Sequence, residues 1–263
     1  MIDGTLIVIG RETGESNKTI ETHVGRLRER DIANTVRAER FDETQNPAID
    51  GDGRTDDNDE EVFVVPMSLV ETNETRTTVP RVASAISDAA CLCGPIGQNP
   101  AITDAIADRA AEQLEPGPDV SLVLVGLGSS SMPHERLTIE YHERRLRDQT
   151  GYGEVTSAYL VQDPAVECAR YNATNDRIVV VPVFITPSTT TEEEIPAKLE
   201  LDRDDVKYTD PLGTHPRVTD AIHSEVAKQH VLQICVDGSG SPPVGPLNES
   251  TGPAANEGMG SSR

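Results

Sequence analysis

The groups in this chain that could bind a metal, move a proton or hold an anion are a few imidazoles, carboxylates, thiols and loop hydroxyls. His134 stands where the loop after Leu127 enters a helix, and a neutral imidazole there could take a divalent transition metal or accept a proton near neutral pH. His142, further along the same helix, reads as a solvent-facing residue, and His215, next to Pro216 at the start of another helix, as a turn or cap. Glu74 and the run Glu192-Glu193-Glu194 could supply oxygen ligands, although three acids at a helix start are also what the helix dipole favours. The loops Gly128-Ser129-Ser130-Ser131 and Ser188-Thr189-Thr190-Thr191 offer hydroxyls and backbone N–H groups near helix starts, a natural place for anions and equally for N-caps. Gly126-Leu127-Gly128 lacks the third glycine of the dinucleotide fingerprint, Ser131 standing there instead, so no nucleotide is expected. Cys91 and Cys93 alternate on a predicted apolar strand and read as core residues; an iron–sulfur cluster would need them together with Cys168 and Cys235.

These residues are set on a chain that repeats itself. Gly10 and Gly126, Pro66 and Pro182, Pro80 and Pro196, and Ile106 and Ile222 are all 116 residues apart, inside matching segments such as Thr103-Asp104-Ala105-Ile106 and Thr219-Asp220-Ala221-Ile222. A period this long is a duplicated domain, since solenoid repeats run to about 20–50 residues. Each half opens with a β-branched-rich strand ending at a glycine (Thr5–Ile9; Ser121–Val125), followed by a charged amphipathic helix (Glu15–Glu29; Pro133–Asp148). Two further strands follow (Asn34–Phe41 and Val62–Pro66; Glu154–Leu160 and Ile178–Pro182), then a helical segment leading into Pro80 or Pro196. A short strand (Ala89–Cys93; Asp205–Thr209) and a last helix (Pro100–Leu114; Pro216–Gln229) complete each unit. Strands alternating with helices predict two similar α/β domains, residues 1–115 and 119–236. Each is expected to be a parallel four-stranded sheet flanked by helices, the two facing one another across a cleft where a ligand would sit at the strands' carboxyl ends. Residues 237–263, rich in Gly, Ser and Pro, are expected to form a disordered tail.

Composition narrows the function classes. Forty-five acidic against 23 basic residues give a formal charge of −22, which repels phosphate backbones and disfavours nucleic acid as a partner. Only four residues are lysine and none is tryptophan, a pattern like that of proteins from salt-in haloarchaea. No apolar stretch approaches the roughly 20 residues a membrane helix needs, and the N-terminus has no signal-peptide pattern, so a cytoplasmic protein is expected. A chain with 36% hydrophobic residues can bury one large core or two smaller ones, and the duplication favours two.

The second half resembles the class II chelatases, the sirohydrochlorin cobaltochelatase and ferrochelatase family. The resemblance runs through Gly126-Leu127-Gly128-Ser129, Val179-Val180-Val181-Pro182-Val183-Phe184-Ile185, Glu194-Ile195-Pro196 and Asp210-Pro211-Leu212-Gly213-Thr214-His215-Pro216. It implies the fold described above, with Co²⁺ or Fe²⁺ as the metal substrate and sirohydrochlorin, a tetrapyrrole polycarboxylate, as the organic one, in cobalamin or siroheme synthesis. The family opens on Gly-His-Gly-Ser and carries a second His six residues before the Ile-Pro proline; here those positions are Leu127 and Thr190, and in the first half Arg11 and Glu74. All four imidazoles are absent, so His134 becomes the candidate replacement ligand. Arg11, Ser129, Ser130, Ser188 and Thr189 become candidate contacts for the substrate's carboxylates. Two functions follow from the resemblance: a divergent chelatase that inserts the metal, or a catalytically degenerate paralogue that binds the tetrapyrrole or an active chelatase and delivers or regulates.

Overall fold

The structure, a computed structural model, describes residues 2–41, 61–129, 134–201 and 206–237. Ser130 and the expected tail lie outside them, and the side chain of Cys235 is likewise not described. The first half comprises β1 (Ile2–Arg11), α1 (Gly14–Glu29), β2 (Ala33–Phe41), β3 (Glu61–Pro66), α2 (Asn73–Ile86), β4 (Cys91–Leu92) and α3 (Pro100–Gln113). The second comprises β5 (Val120–Gly126), α4 (His134–Gln149), β6 (Glu154–Tyr159), the short α5 (Ala169–Asn172), β7 (Arg177–Pro182), α6 (Ile195–Lys198), β8 (Val206–Tyr208) and α7 (Pro216–Asp237). Each half forms its own sheet, ordered β2-β1-β3-β4 and β6-β5-β7-β8, with every pairing parallel. The central strands are buried on both faces, Leu6 to Ile9 and Leu122 to Val125 without interruption, which is why they read as continuous apolar runs.

Local chemistry sets the helix starts. Thr13 caps α1 by accepting from the Ser16 N–H, Thr72 and Thr75 form a reciprocal capping box on α2, and Asn99 caps α3 ahead of Pro100 at its first turn. The second half departs from the first after β7, where a helical segment leading into Pro196 was expected. A single π-helical turn, Thr190–Glu194, precedes the four-residue α6, and the Ile195 N–H reaches back to the Thr190 carbonyl. Pro196 has no N–H of its own to extend that ladder.

Register locates the two copies on one another. Thr5 lies opposite Thr35 and Val62, and Ser121 lies opposite Glu154 and Ile178. Central and third strands thus keep the 116-residue offset, but β2 and β6 are offset by 119, as are α1 and α4: Arg28 and Arg147 bond the equivalent carbonyls of Val36 and Val155. Three extra residues between β5 and α4 are given back before β7, a compensation the unbroken net offset conceals.

Burial departs from the expectation of two separate cores. One central cluster joins Leu6, Ile20, Phe63 and Ile106 of the first half to Leu122, Ile139, Val179 and Ile222 of the second. Each sheet's other face has a smaller cluster, around Ile7, Val64 and Val79 in one half and Val123, Val180 and Ile195 in the other. The central cluster exists because α1 and α3 pack against α7, and α3 against α4, so the inner faces of both sheets share one layer of helices. Helices thus occupy much of the space between the halves, and two cavities open there among the described residues.

Candidate functional site

Glycines at the ends of β1 and β5 set the site's floor. A Cβ on Gly10 would crowd Ile20 Cδ1 at 2.6 Å, and one on Gly126 would crowd Ile139 Cδ1, so with glycine at both positions α1 and α4 close onto the strand ends without displacing those side chains. The residues that follow are the ones the sequence singled out. In the first half Arg11 and Glu74, 63 positions apart, meet in an ion pair. The fold thus brings the two family positions together in space, but fills them with a guanidinium and a carboxylate that satisfy one another. Arg11, expected to take a substrate carboxylate, holds one from its own chain.

In the second half Leu127 is exposed, and its N–H donates to Glu135 Oε1 at 2.7 Å while the Gly128 N–H donates to Oε2 at 3.1 Å. Gly128 sits at φ +77°, in the left-handed region that glycine tolerates. Glu135, in the first turn of α4, thereby clamps the loop from which the family's first imidazole would project, and burial pushes its carboxyl above the ordinary carboxylate range in spite of those two bonds. The sequence reading missed it. The signal was an acid at a helix start just beyond a Gly-x-Gly loop. Thr190 opens the π-helical turn, and neighbouring Ser188 is engaged in local capping, its N–H donating to Thr191 Oγ1 at 2.9 Å. The Ser129 N–H donates to Gln162 Oε1 at 3.2 Å. Thr189 immediately precedes the turn.

His134 begins α4 on the other side of this loop. Its Nε2 lies 3.5 Å from a guanidinium nitrogen of Arg76, which in turn holds the Glu71 carboxylate at 2.6 Å and keeps that carboxyl below its usual range. Glu71 and His134 line a cavity of about 540 Å³ between the halves, whose wall also includes Asn99, Thr138, Glu225 and Lys228. A second cavity of about 590 Å³ occupies the repeat-related place, with Glu15, Thr19, Arg109 and Pro187 where the first has His134, Thr138, Glu225 and Glu71. Among the described residues no three His, Cys, Asp or Glu side chains gather closely enough to hold a metal ion. Cys91, in β4, is half-buried and Cys93, just beyond it, is buried, whereas Cys168 is exposed.

His142 is not on the solvent face, as its place in a charged helix suggested. It is fully buried, its Nδ1 2.8 Å from Thr103 Oγ1 and its Nε2 2.6 Å from the Gly97 carbonyl. His23 makes the mirrored contacts, 2.8 Å to Thr219 Oγ1 and 3.0 Å to the Gly213 carbonyl. Each histidine of one half is thus clasped by a threonine and a glycine of the other. Burial depresses both pKa values to about 4, leaving both rings neutral. The clue in the sequence was the unchanged Thr-Asp-Ala-Ile segment in each copy. His215 ends the turn before α7, its Nδ1 accepting the Arg217 N–H at 3.3 Å.

The CbiX family matches residues 121–229 of the chain. A probable sirohydrochlorin cobaltochelatase of Halobacterium salinarum is 26% identical over 253 residues, an alignment covering 81% of this chain and 86% of that protein. Among solved structures, SirB from Bacillus subtilis, determined with Fe³⁺, superposes with a TM-score of 0.69 at 19% identity, covering 90% of this chain and 98% of SirB. A multi-domain protein from Deinococcus radiodurans with structural similarity to chelatases gives the same TM-score at 20% identity; the match covers 87% of this chain but 56% of that one, so the chain spans little more than half its length. At these identities the solved structures speak for the fold.

Proposed function

On the premise that this chain belongs to the class II chelatase family, its second half falling in the CbiX group, we propose that it binds a sirohydrochlorin-type tetrapyrrole and inserts Co²⁺ or Fe²⁺ into it. The observation that carries this reading is the imidazole of His134 at the wall of the 540 Å³ interdomain cavity, with the carboxylates of Glu71 and Glu225 on the same wall. Metal insertion needs a neutral donor to hand over the metal and an acceptor for two pyrrole protons. Imidazole serves either role, and Leu127 and Thr190 serve neither. Ser129, Ser130, Ser188 and Thr189 remain candidates for the substrate's carboxylates, through groups not engaged in capping. The cavity's volume falls within the range typical of small-molecule sites, about 300–1,000 Å³.

A second reading has its own support. The Arg11–Glu74 pair occupies both family positions in the first half. That favours a paralogue that binds the tetrapyrrole, or an active chelatase, without inserting metal. Anaerobic absorbance titrations with sirohydrochlorin, with and without Co²⁺, in concentrated KCl decide between the two. Insertion above the uncatalysed rate that collapses in His134→Ala supports the first reading. Tetrapyrrole binding without insertion supports the second, and no binding removes the first and leaves of the second only the form that acts on an active chelatase.

A further inference from the structure

The two repeat-related cavities carry opposite charges at one equivalent position. In the 540 Å³ cavity the position is Glu225 on α7, a buried carboxylate that accepts the Gly94 N–H at 3.0 Å and pairs with Lys228 one turn on. The 590 Å³ cavity has Arg109 on α3 there, paired one turn on with Glu112 at 3.0 Å. Both members of the pair are reversed in sign between the copies. The reversal leaves the sites unequal: each oxygen of Glu225 has a donor, Gly94 N–H on one and Lys228 on the other, whereas Arg109 Nε is buried with no acceptor among the described residues. Arg109 lines this cavity; buried donors without partners are rare in folded proteins, and a guanidinium offers the two-pronged fork that a carboxylate takes.

A second cation borders the same space. Lys18, one of only four lysines in the chain, is exposed on α1 and has no side-chain partner among the described residues. Glu15, Glu192 and Asp210 share the wall and oppose a compact polyanion, so the site suits a single carboxylate arm brought in by a larger molecule.

We propose that the 590 Å³ cavity is a carboxylate-binding site, distinct from the His134 cavity, in which Arg109 and Lys18 take one carboxylate arm of an organic acid. The arm belongs either to a free polycarboxylic acid or to a tetrapyrrole's side chains; the chemistry is shared, and the inference does not depend on metal insertion.

Calorimetric titration of the whole protein with citrate and, separately, with sirohydrochlorin, at the lowest salt that preserves the fold, tests it. At least one of the two should bind the wild type, and Arg109→Gln combined with Lys18→Gln should weaken that binding roughly ten- to a hundredfold. Arg177→Gln, which breaks an exposed ion pair at the start of β7, should leave it unchanged. Lys18→Gln alone touches an exposed side chain, so it separates loss of binding from loss of folding. Citrate binding that falls in the double variant identifies a free acid; loss confined to sirohydrochlorin identifies the tetrapyrrole arm. Absence of binding by either ligand, or equal binding by wild type and double variant, overturns the assignment.

Discussion

Lowering the pH from 7 to 5 should loosen the attachment between the two halves, and two histidines set the size of the effect. His23 and His142 are fully buried, and their folded-state pKa values are depressed to about 4 from an unfolded value near 6.5. A base whose pKa is lowered by folding contributes stability that is complete above pH 6.5 and is lost as the pH falls towards 4, because the unfolded chain takes up the proton first. At pH 5 the unfolded imidazole is almost fully protonated and the folded one almost fully neutral, which costs about 2 kcal/mol for each ring and about 4 kcal/mol for the pair. Below pH 4 the cost approaches about 3 kcal/mol each. Chemical denaturation at fixed high KCl, followed by circular dichroism at pH 7 and pH 5, measures it. The control is His23→Gln with His142→Gln, which keeps a polar group at each clasp and removes the titration. Carboxylates contribute equally to both proteins and cancel in the comparison. If the double variant loses as much stability between pH 7 and pH 5 as the wild type, the buried-neutral assignment is wrong and the clasps are not what holds the halves at neutral pH.

Other consequences are checked in the same way. Glu135→Ala should cost about 1.5–3 kcal/mol at pH 7, because it strips a charged acceptor from the Leu127 and Gly128 N–H groups. Since burial raises that carboxyl's pKa, the wild type should gain from Glu135 as the pH falls through its folded value, a gain absent from the variant's denaturation profile. Gly97→Ala places a Cβ 1.9 Å from the Leu69 carbonyl oxygen and disturbs the carbonyl that His142 grips, so a loss of several kcal/mol in thermal or chemical melts is expected. Arg11→Ala breaks an ion pair whose arginine is 48% exposed and should change stability by less than about 1 kcal/mol, which the same melts resolve. With a formal charge of −22, the melting midpoint should climb steeply along a KCl series towards 1 M and above, where the screening length shrinks to about 3 Å; a flat series contradicts the salt-adapted reading.

The sequence by itself determined the elements and their order, because those rest on local patterns. Apolar runs ending at Gly10 and Gly126, amphipathic helical stretches between them and a 116-residue repeat are visible in one dimension, and they led to two parallel four-stranded sheets. The family resemblance located the vacated positions Arg11, Glu74, Leu127 and Thr190 in the same way. Only the tertiary structure decided what those positions do, since a side chain's partner is set by whatever the fold lays beside it. Arg11 meets Glu74 across 63 residues, Glu135 reaches back to clamp the Leu127 loop, and His142 turns inward because the facing half supplies Thr103 and the Gly97 carbonyl. Helical periodicity cannot see that last partner: a polar residue on a charged helix reads as solvated until a second surface buries it. The single shared core, and the sign reversal between Arg109 and Glu225 across two cavities, have the same origin, for both belong to the contact between the halves and to neither half alone.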